Sequence, residues 1–433
     1  MNSDSHPIII IGAGMAGLSC ATWLHRAGRP VLVLEAADAV GGRVRTDLTP
    51  EGFRLDRGFQ VLQTNYPEAR RLFDYGALHL KAFRSGAVIR LPDGAQTTLQ
   101  NPLKNPLSAF SALTSPIGSL ADKLRIVSLV RHVLQRTPEE LLARPDAEDT
   151  VTFLRRYGFS ELMIDTFFRP FFGGVFLDRG LTTASNFFEF IFQQFVTGDA
   201  AIPALGIQEL PEQLANRLPA GSVRLDTSVA GIVDGSQVRL TTGQVLQASA
   251  IVLATDGLAA LRLLAGRSGN PDDTPTEAGS FPTAARITTC TYFATPGGHS
   301  PGRNDKLLRL NAAPNALAHN VAFPADVSGA YAPAGRSLIS VSTHGERSLE
   351  EAELVPRLRR ELAAWFGPAA RDWEHLRTYR IAAALPVYPA GQPPRQPLKL
   401  ADYLYRCGDW ASYPSLNGAL ATGREVAELI IKG

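Results

Sequence analysis

The unbroken nonpolar run Pro7-Ile8-Ile9-Ile10-Ile11 has no polar alternation, which predicts a strand buried on both faces. Gly12-Ala13-Gly14-Met15-Ala16-Gly17 follows at once, and the stretch from Leu18 to Gly28 then predicts a helix closed by its glycine. Val31-Leu32-Val33-Leu34 predicts a second buried strand ending on Glu35. Further strands are expected over 222–233, 250–255, 286–293, 337–342 and 404–407, with helices over 349–366 and 415–431. After Ser119, Leu120, Leu124, Val127 and Leu134 recur near helical spacing until Pro138 interrupts. Residues 266–279 read as a loop, and no internal repeat appears.

The first unit carries chemistry. In a strand–Gly-x-Gly-x-x-Gly–helix–strand order, the first glycine permits a tight turn and the second lets the backbone approach a pyrophosphate. The third lets helix and strand pack closely, while the helix N-terminus faces the phosphates. Glu35, 18 residues past Gly17, is placed to accept hydrogen bonds from an adenosine ribose and disfavours a 2′-phosphate. Dinucleotide binding follows; NAD and FAD are not separated by this unit alone.

Composition narrows the partners. The 433 residues suffice for two or three domains. With 43 basic and 41 acidic residues the net charge is +2, so nucleic acid is not an expected partner. Cys20, Cys290 and Cys407 lie far apart, which argues against disulfides or a zinc site and for a reducing cytoplasm. The uncharged stretch 7–24 is long enough to span a bilayer, but its three glycines fit a strand, a turn and a packed helix better. The eight His are scattered and read as structural or surface groups.

After Glu35 comes Ala36, and soon Gly41-Gly42-Arg43-Val44-Arg45-Thr46. Here the chain resembles the flavin amine oxidase and phytoene desaturase superfamily of FAD-dependent oxidoreductases, in which a GGRxRT-like segment wraps the FAD pyrophosphate. The far end is similar too: Gly408-Asp409-Trp410, then Leu416-Asn417-Gly418-Ala419 opening the last helix. The resemblance implies non-covalent FAD held by Gly12, Gly14, Met15, Ala16 and Gly17, by Glu35 and Ala36, and by Gly41, Gly42 and Arg43. It adds Val229 at the adenine, Asp409 after Gly408 at the ribityl or phosphate region, and the helix start Leu416, Asn417, Gly418 and Ala419 at the isoalloxazine. The implied fold class is α/β. A Rossmann-like FAD-binding domain of the GR2 type is expected in discontinuous segments, about 1–75, 205–260 and 395–433. An α+β substrate domain is expected from 76–204, mainly helical, and 261–394, sheet plus helix.

Leu55-Asp56-Arg57-Gly58-Phe59-Gln60-Val61 looks nearest to the carotene desaturase and hydroxysqualene dehydroxylase branch, which puts Gly58, Phe59, Gln60 and Val61 at the flavin. Gln60 stands where plant-type desaturases carry His, so it is expected to bond the flavin or backbone. Amine oxidases place an aromatic residue at the position of Ser415 and a lysine in the region 284–293, where this chain has Arg286. Tyr413 would have to reach the flavin by another route. The segment 164–176 resembles protoporphyrinogen oxidase, which ranks close behind. Related folds also serve as lipid-binding chaperones, against which the retained FAD motifs argue.

Twelve of the 21 Phe fall within 151–200, which suits a helical core together with an apolar tunnel. The expected substrate is a large hydrophobic molecule giving a hydride to flavin N5, with oxygen or a quinone as electron acceptor. Peripheral membrane contact is conceivable through 99–113, although a surface loop fits that segment better. Asp165 and Arg169, four apart, read as a helix salt bridge. No catalytic acid or base is assigned.

Overall fold

A computed structural model describes residues 6–433 except 102–103, 106, 108–113, 145–147, 234–235, 266–280, 282–283, 296, 298 and 346–348. The expected loop at 266–279 and most of the segment 99–113 lie outside the described residues.

The β-branched runs do pair into a buried sheet. Its strand order is Val223–Arg224, Val31–Leu34, Ile8–Ile11, Ala250–Leu253, Leu404–Arg406, Lys399–Ala401. All neighbours are parallel except the last pair. Every residue of Ile8–Ile11, Val31–Leu34 and Ala250–Leu253 is buried, as strands covered on both faces require. Helix Met15–Arg26 follows the first strand, and the last helix, Leu416–Lys432, lies against it. Their contact is close. A Cβ on Gly423 would sit 2.3 Å from the Ala16 carbonyl oxygen, and Ser19 Oγ donates to Leu420 O at 2.8 Å.

A second sheet of seven strands runs Glu374–Pro386, Ala285–Thr295, Ser337–His344, Asn320–Ala322, Leu308–Asn311, Gly86–Arg90, Gln96–Gln100. Its last two strands come from the 76–204 stretch, which therefore is not helical throughout. Strand alternation gives this sheet two different faces. Ile339 and Val341 pack under helix Glu351–Phe366 with its Leu354, Leu358 and Leu362. Ser342 and His344 point the other way, toward a cavity.

The Phe-rich helices close the third side. Phe168, Phe172, Phe188 and their neighbours form a buried aromatic cluster, with Phe172 and Phe188 edge-on at 4.8 Å. Such a pair adds roughly 0.5–1.5 kcal/mol beyond its buried area. Asp165 and Arg169 form the expected salt bridge, at 2.8 Å.

Helix Leu120–Leu134 forms after Ser119 as expected, but with the opposite face inward. Leu129 and Val133 are buried, whereas Leu120, Leu124 and Val127 are each more than 60% exposed. The reason lies at its start. Asp122 is fully buried and accepts from the N–H and Oγ of both Ser119 and Ser160, at 2.7–2.8 Å. Burial alone would raise its pKa, but these donors outweigh that and hold it at about 2. Asp122→Ala should cost about 3 kcal/mol, because two backbone N–H groups lose their acceptor. The native contribution is complete above the ordinary carboxylate pKa of about 3.9 and fades as pH falls toward the depressed value. Denaturant melts of both proteins at pH 7 measure the difference.

Candidate active site

At the carboxyl ends of the parallel strands opens a cavity of about 1300 Å³, which continues between the Phe-rich helices and the seven-stranded sheet. Ligands of open parallel sheets bind at this end. The glycine turn lines it with Gly12, Gly14, Met15 and Ala16, and the facing loop with Gly41, Gly42 and Arg43. The two loops touch, since Gly41 N–H donates to Ala13 O at 2.9 Å.

The three motif glycines differ in their surroundings. A Cβ on Gly17 would lie 2.1 Å from the Gly12 carbonyl oxygen, so Gly17 serves strand–helix packing and stands outside the cavity wall. A Cβ on Gly14 would meet no atom within 4 Å. That open space, ahead of the N-terminus of helix Met15–Arg26, is a cradle suited to a pyrophosphate. Glu35 is oriented by two backbone donors, Ala13 N–H at 2.7 Å and Ala37 N–H at 2.9 Å. A carboxylate has about four acceptor positions, which leaves two for ribose hydroxyls.

Arg43 and Asp409 come together from opposite ends of the chain. Arg43 Nη2 donates to Asp409 Oδ1 at 2.6 Å, and Nη1 to Ala384 O at 2.9 Å. Asp409 is 4% exposed. Gln60 Nε2 donates to the carbonyls of Arg43 and Arg57, so its side chain stays on the backbone. Gly58, Phe59, Gln60 and Val61 line the cavity, as do Ala36, Val229 and Gly408. The glycine cradle, the carboxylate and the Arg–Asp pair together fit FAD.

The last helix departs from expectation in two residues. Asn417 and Gly418 do not reach the cavity, whereas Leu416 and Ala419 line it. Asn417 instead accepts from Glu68 N–H at 2.9 Å and donates to Tyr413 Oη at 2.8 Å. Gly418 is packed against the Tyr413 carbonyl, 2.2 Å from where a Cβ would be, and its N–H caps onto Ser415 Oγ. These are buried ties that fix the helix start. Tyr413 turns into the core beside Phe187 and Phe190, so it offers no aromatic wall to a flavin.

Away from the nucleotide half, the wall is aromatic and aliphatic. Phe167, Phe171, Phe172, Phe187, Phe192 and Phe195 line it, and the other six Phe of this stretch do not. Core and tunnel thus share one aromatic cluster. Arg286 is held by Asp178 at 2.9 Å and Thr182 at 2.8 Å. Sequence reading missed the opposite wall, where the seven-stranded sheet presents Thr288, Asn320, Ser342 and His344. Polar residues inside otherwise buried strands were the available signal. The three cysteines are buried and free. Among the described residues no group of His, Cys, Asp and Glu could hold a metal ion.

Putrescine oxidase of Kocuria rosea is 30% identical over 249 residues, 52% of this chain and 48% of that enzyme. The chain thus spans about half the length of this curated relative in the match. A solved putrescine oxidase superposes with a TM-score of 0.72 at 19% identity over 99% of both chains. A putative protoporphyrinogen oxidase from Exiguobacterium gives 0.73 at 17%, again over 99% of both. These two likenesses concern the fold. The sequence profile of the family described as flavin containing amine oxidoreductase matches residues 15–431, from the glycine turn to the last helix. Since that match spans nearly the whole chain and takes in Glu35, the Arg–Asp pair and the seven-stranded sheet, the chain belongs to the flavin-containing amine oxidoreductases, a family of FAD-dependent oxidoreductase enzymes.

Proposed function

We propose that this protein dehydrogenates a large, mainly apolar substrate, with FAD held by the segments 1–75, 205–260 and 395–433 and the substrate by 76–204 and 261–394. When bound, FAD accepts the hydride equivalent from a substrate C–H bond, and oxygen or a quinone re-oxidises it. The chain's residues bind and orient the substrate and keep water out.

The observation that carries the reading is the cavity wall. Apart from Glu35, Asp256 and Asp409, all at the nucleotide half, it presents no carboxylate. A diamine such as putrescine would bring two positive charges into a space walled by phenylalanine, with Lys123 and Arg84 as the nearby charges. Desolvating a cation without a counter-charge is costly, which favours an uncharged, apolar molecule. Those two bases also support a second reading, an amphipathic substrate with acidic groups, as protoporphyrinogen has.

Peripheral membrane contact fits the same picture. Leu120, Leu124 and Val127 are exposed on one helix, and Val127 also lines the cavity, so an apolar surface adjoins its mouth. No helix among the described residues is long and apolar enough to cross a membrane.

The test is anaerobic bleaching of the flavin's visible absorbance by isoprenoid polyenes, protoporphyrinogen and simple amines in parallel. Bleaching by the polyenes alone is the expected result; porphyrinogen alone would establish the second reading. Rapid bleaching by an amine would replace both.

A further inference from the structure

Behind the cavity wall, one buried carboxylate collects donors from three other stretches of chain. Asp56 ends strand Arg54–Asp56, is 4% exposed and does not line the cavity. Its Oδ1 accepts from Thr46 Oγ1 at 2.6 Å and from Ile207 N–H at 3.0 Å, and its Oδ2 from Tyr331 Oη at 2.8 Å. The Asp56 carbonyl accepts from Tyr292 Oη at 2.8 Å and from Gly58 N–H at 2.7 Å. Thr46 is also joined to Gln208, whose N–H donates to Thr46 Oγ1 at 3.1 Å, while Thr46 N–H donates to Gln208 Oε1 at 3.0 Å.

These ties lead to the cavity wall. Thr46 lies two residues past Gly41–Val44, and Gly58–Val61 begins two residues past Asp56. Ile207 and Leu210 line the cavity themselves, whereas Tyr292 and Tyr331 are fully buried outside it and complete the hold. Burial pushes the Asp56 pKa up to about 6, and its three donors oppose that rise. The group is thus mainly ionised at pH 7, with a folded value above the ordinary carboxylate pKa of about 3.9. Its ionisation therefore costs stability, a cost absent in acid and complete once pH has passed the folded value. What the anion supplies is acceptor capacity: both carboxylate oxygens accept, whereas an amide of the same size has a single acceptor atom.

We propose that Asp56 is a positioning residue of the cofactor site, fixing the phosphate-facing loop 41–46 and the flavin-facing segment 58–61 at the separation that one FAD molecule must span. This rests on the FAD site described above and adds the group that keeps its two halves in register. A ligand that touches both segments gains affinity from their being held beforehand, and one that touches a single segment does not. The phosphate corner itself is held independently, because Gly41 N–H is bonded to Ala13 O.

The test compares FAD with ADP, which fills the phosphate half alone, by titration calorimetry on flavin-free protein. Asp56→Ala is expected to weaken FAD binding about tenfold and ADP binding by less than about twofold. Thr46→Val removes the same tie from the side of the other loop and should show the same split. Thr46→Ser keeps the hydroxyl and should return FAD affinity to within about twofold of the wild type. Should Asp56→Ala not fold, the two Thr46 variants decide the matter by themselves. Equal losses for FAD and ADP would mean that the carboxylate supports only the fold or the phosphate loop, and would overturn the proposal. Unchanged FAD affinity in Thr46→Val, or no recovery in Thr46→Ser, would overturn it as well. A wild type that binds neither FAD nor ADP would instead remove the cofactor site on which this role depends.

Discussion

Valine in place of Gly14 is expected to give a folded protein that no longer holds FAD. The position tolerates a side chain: its φ is −73° in extended backbone, and nothing lies within 4 Å of the added Cβ. Its fold stability should therefore stay within about 0.5 kcal/mol of the wild type once both are stripped of flavin. The branched side chain does, however, fill the cradle ahead of the helix N-terminus. Displacing a pyrophosphate from those N–H groups should weaken FAD binding by at least 100-fold, or about 2.7 kcal/mol. Gly17→Val is the contrasting case. Its Cβ meets backbone, the Gly12 carbonyl oxygen at 2.1 Å, so the strand and helix must separate and the fold itself should fail. Absorbance of the purified proteins and their denaturant melts distinguish the two. A yellow Gly14→Val protein with full flavin content would refute the cradle.

Arg43→Ala should be more damaging than removing both members of its ion pair. Asp409 is almost fully buried and Arg43 is its charged partner at 2.6 Å. Taking the guanidinium away leaves a carboxylate with no counter-charge. For a fully buried pair this costs about 3–5 kcal/mol, and the 41% exposure of the Arg43 side chain reduces it to about 2. Arg43→Ala/Asp409→Ala loses the charge altogether and should recover at least half of that loss in flavin-free protein. Both variants should bind FAD poorly, because the pair joins the two loops that face the cofactor. A double variant less stable than Arg43→Ala would show that Asp409 has another stabilising partner.

The nucleotide half was legible because its signals are local. A buried strand, a glycine turn, an acidic residue 18 positions on and a Gly-Asp corner each occupy a few consecutive residues, and most of them line one cavity. Asn417 and Gly418 show the limit of such reading. Motif position brings them to the helix start, but the Tyr413 backbone and the Glu68 N–H determine where they point. Helix Leu120–Leu134 fails differently: its apolar spacing was correct, yet capping by Asp122 at the Ser160 turn selects the other face for burial. The polar wall of Thr288, Asn320, Ser342 and His344 was the least legible. Asn320 is set beside Ser342, and Thr288 beside His344, only through the register of Ser337–His344 between its two neighbours, a relation with no counterpart in linear spacing.

The contact between the first and last helices bears on how the protein comes to hold its cofactor during synthesis. The cradle at Gly14 is complete within the first fifty residues, but Asp409 and Ala419 emerge last, and Gly423 seats against Ala16. At about 5–20 residues per second, the early glycine turn waits tens of seconds for its counterpart. A chain that stops short of Asp409 holds the glycine turn, Glu35 and Gly58–Val61 but lacks the ion-pair partner of Arg43 and the helix that carries Ala419. Ribosome-bound chains stalled before residue 409 are therefore expected to be colourless, as their visible absorbance would show.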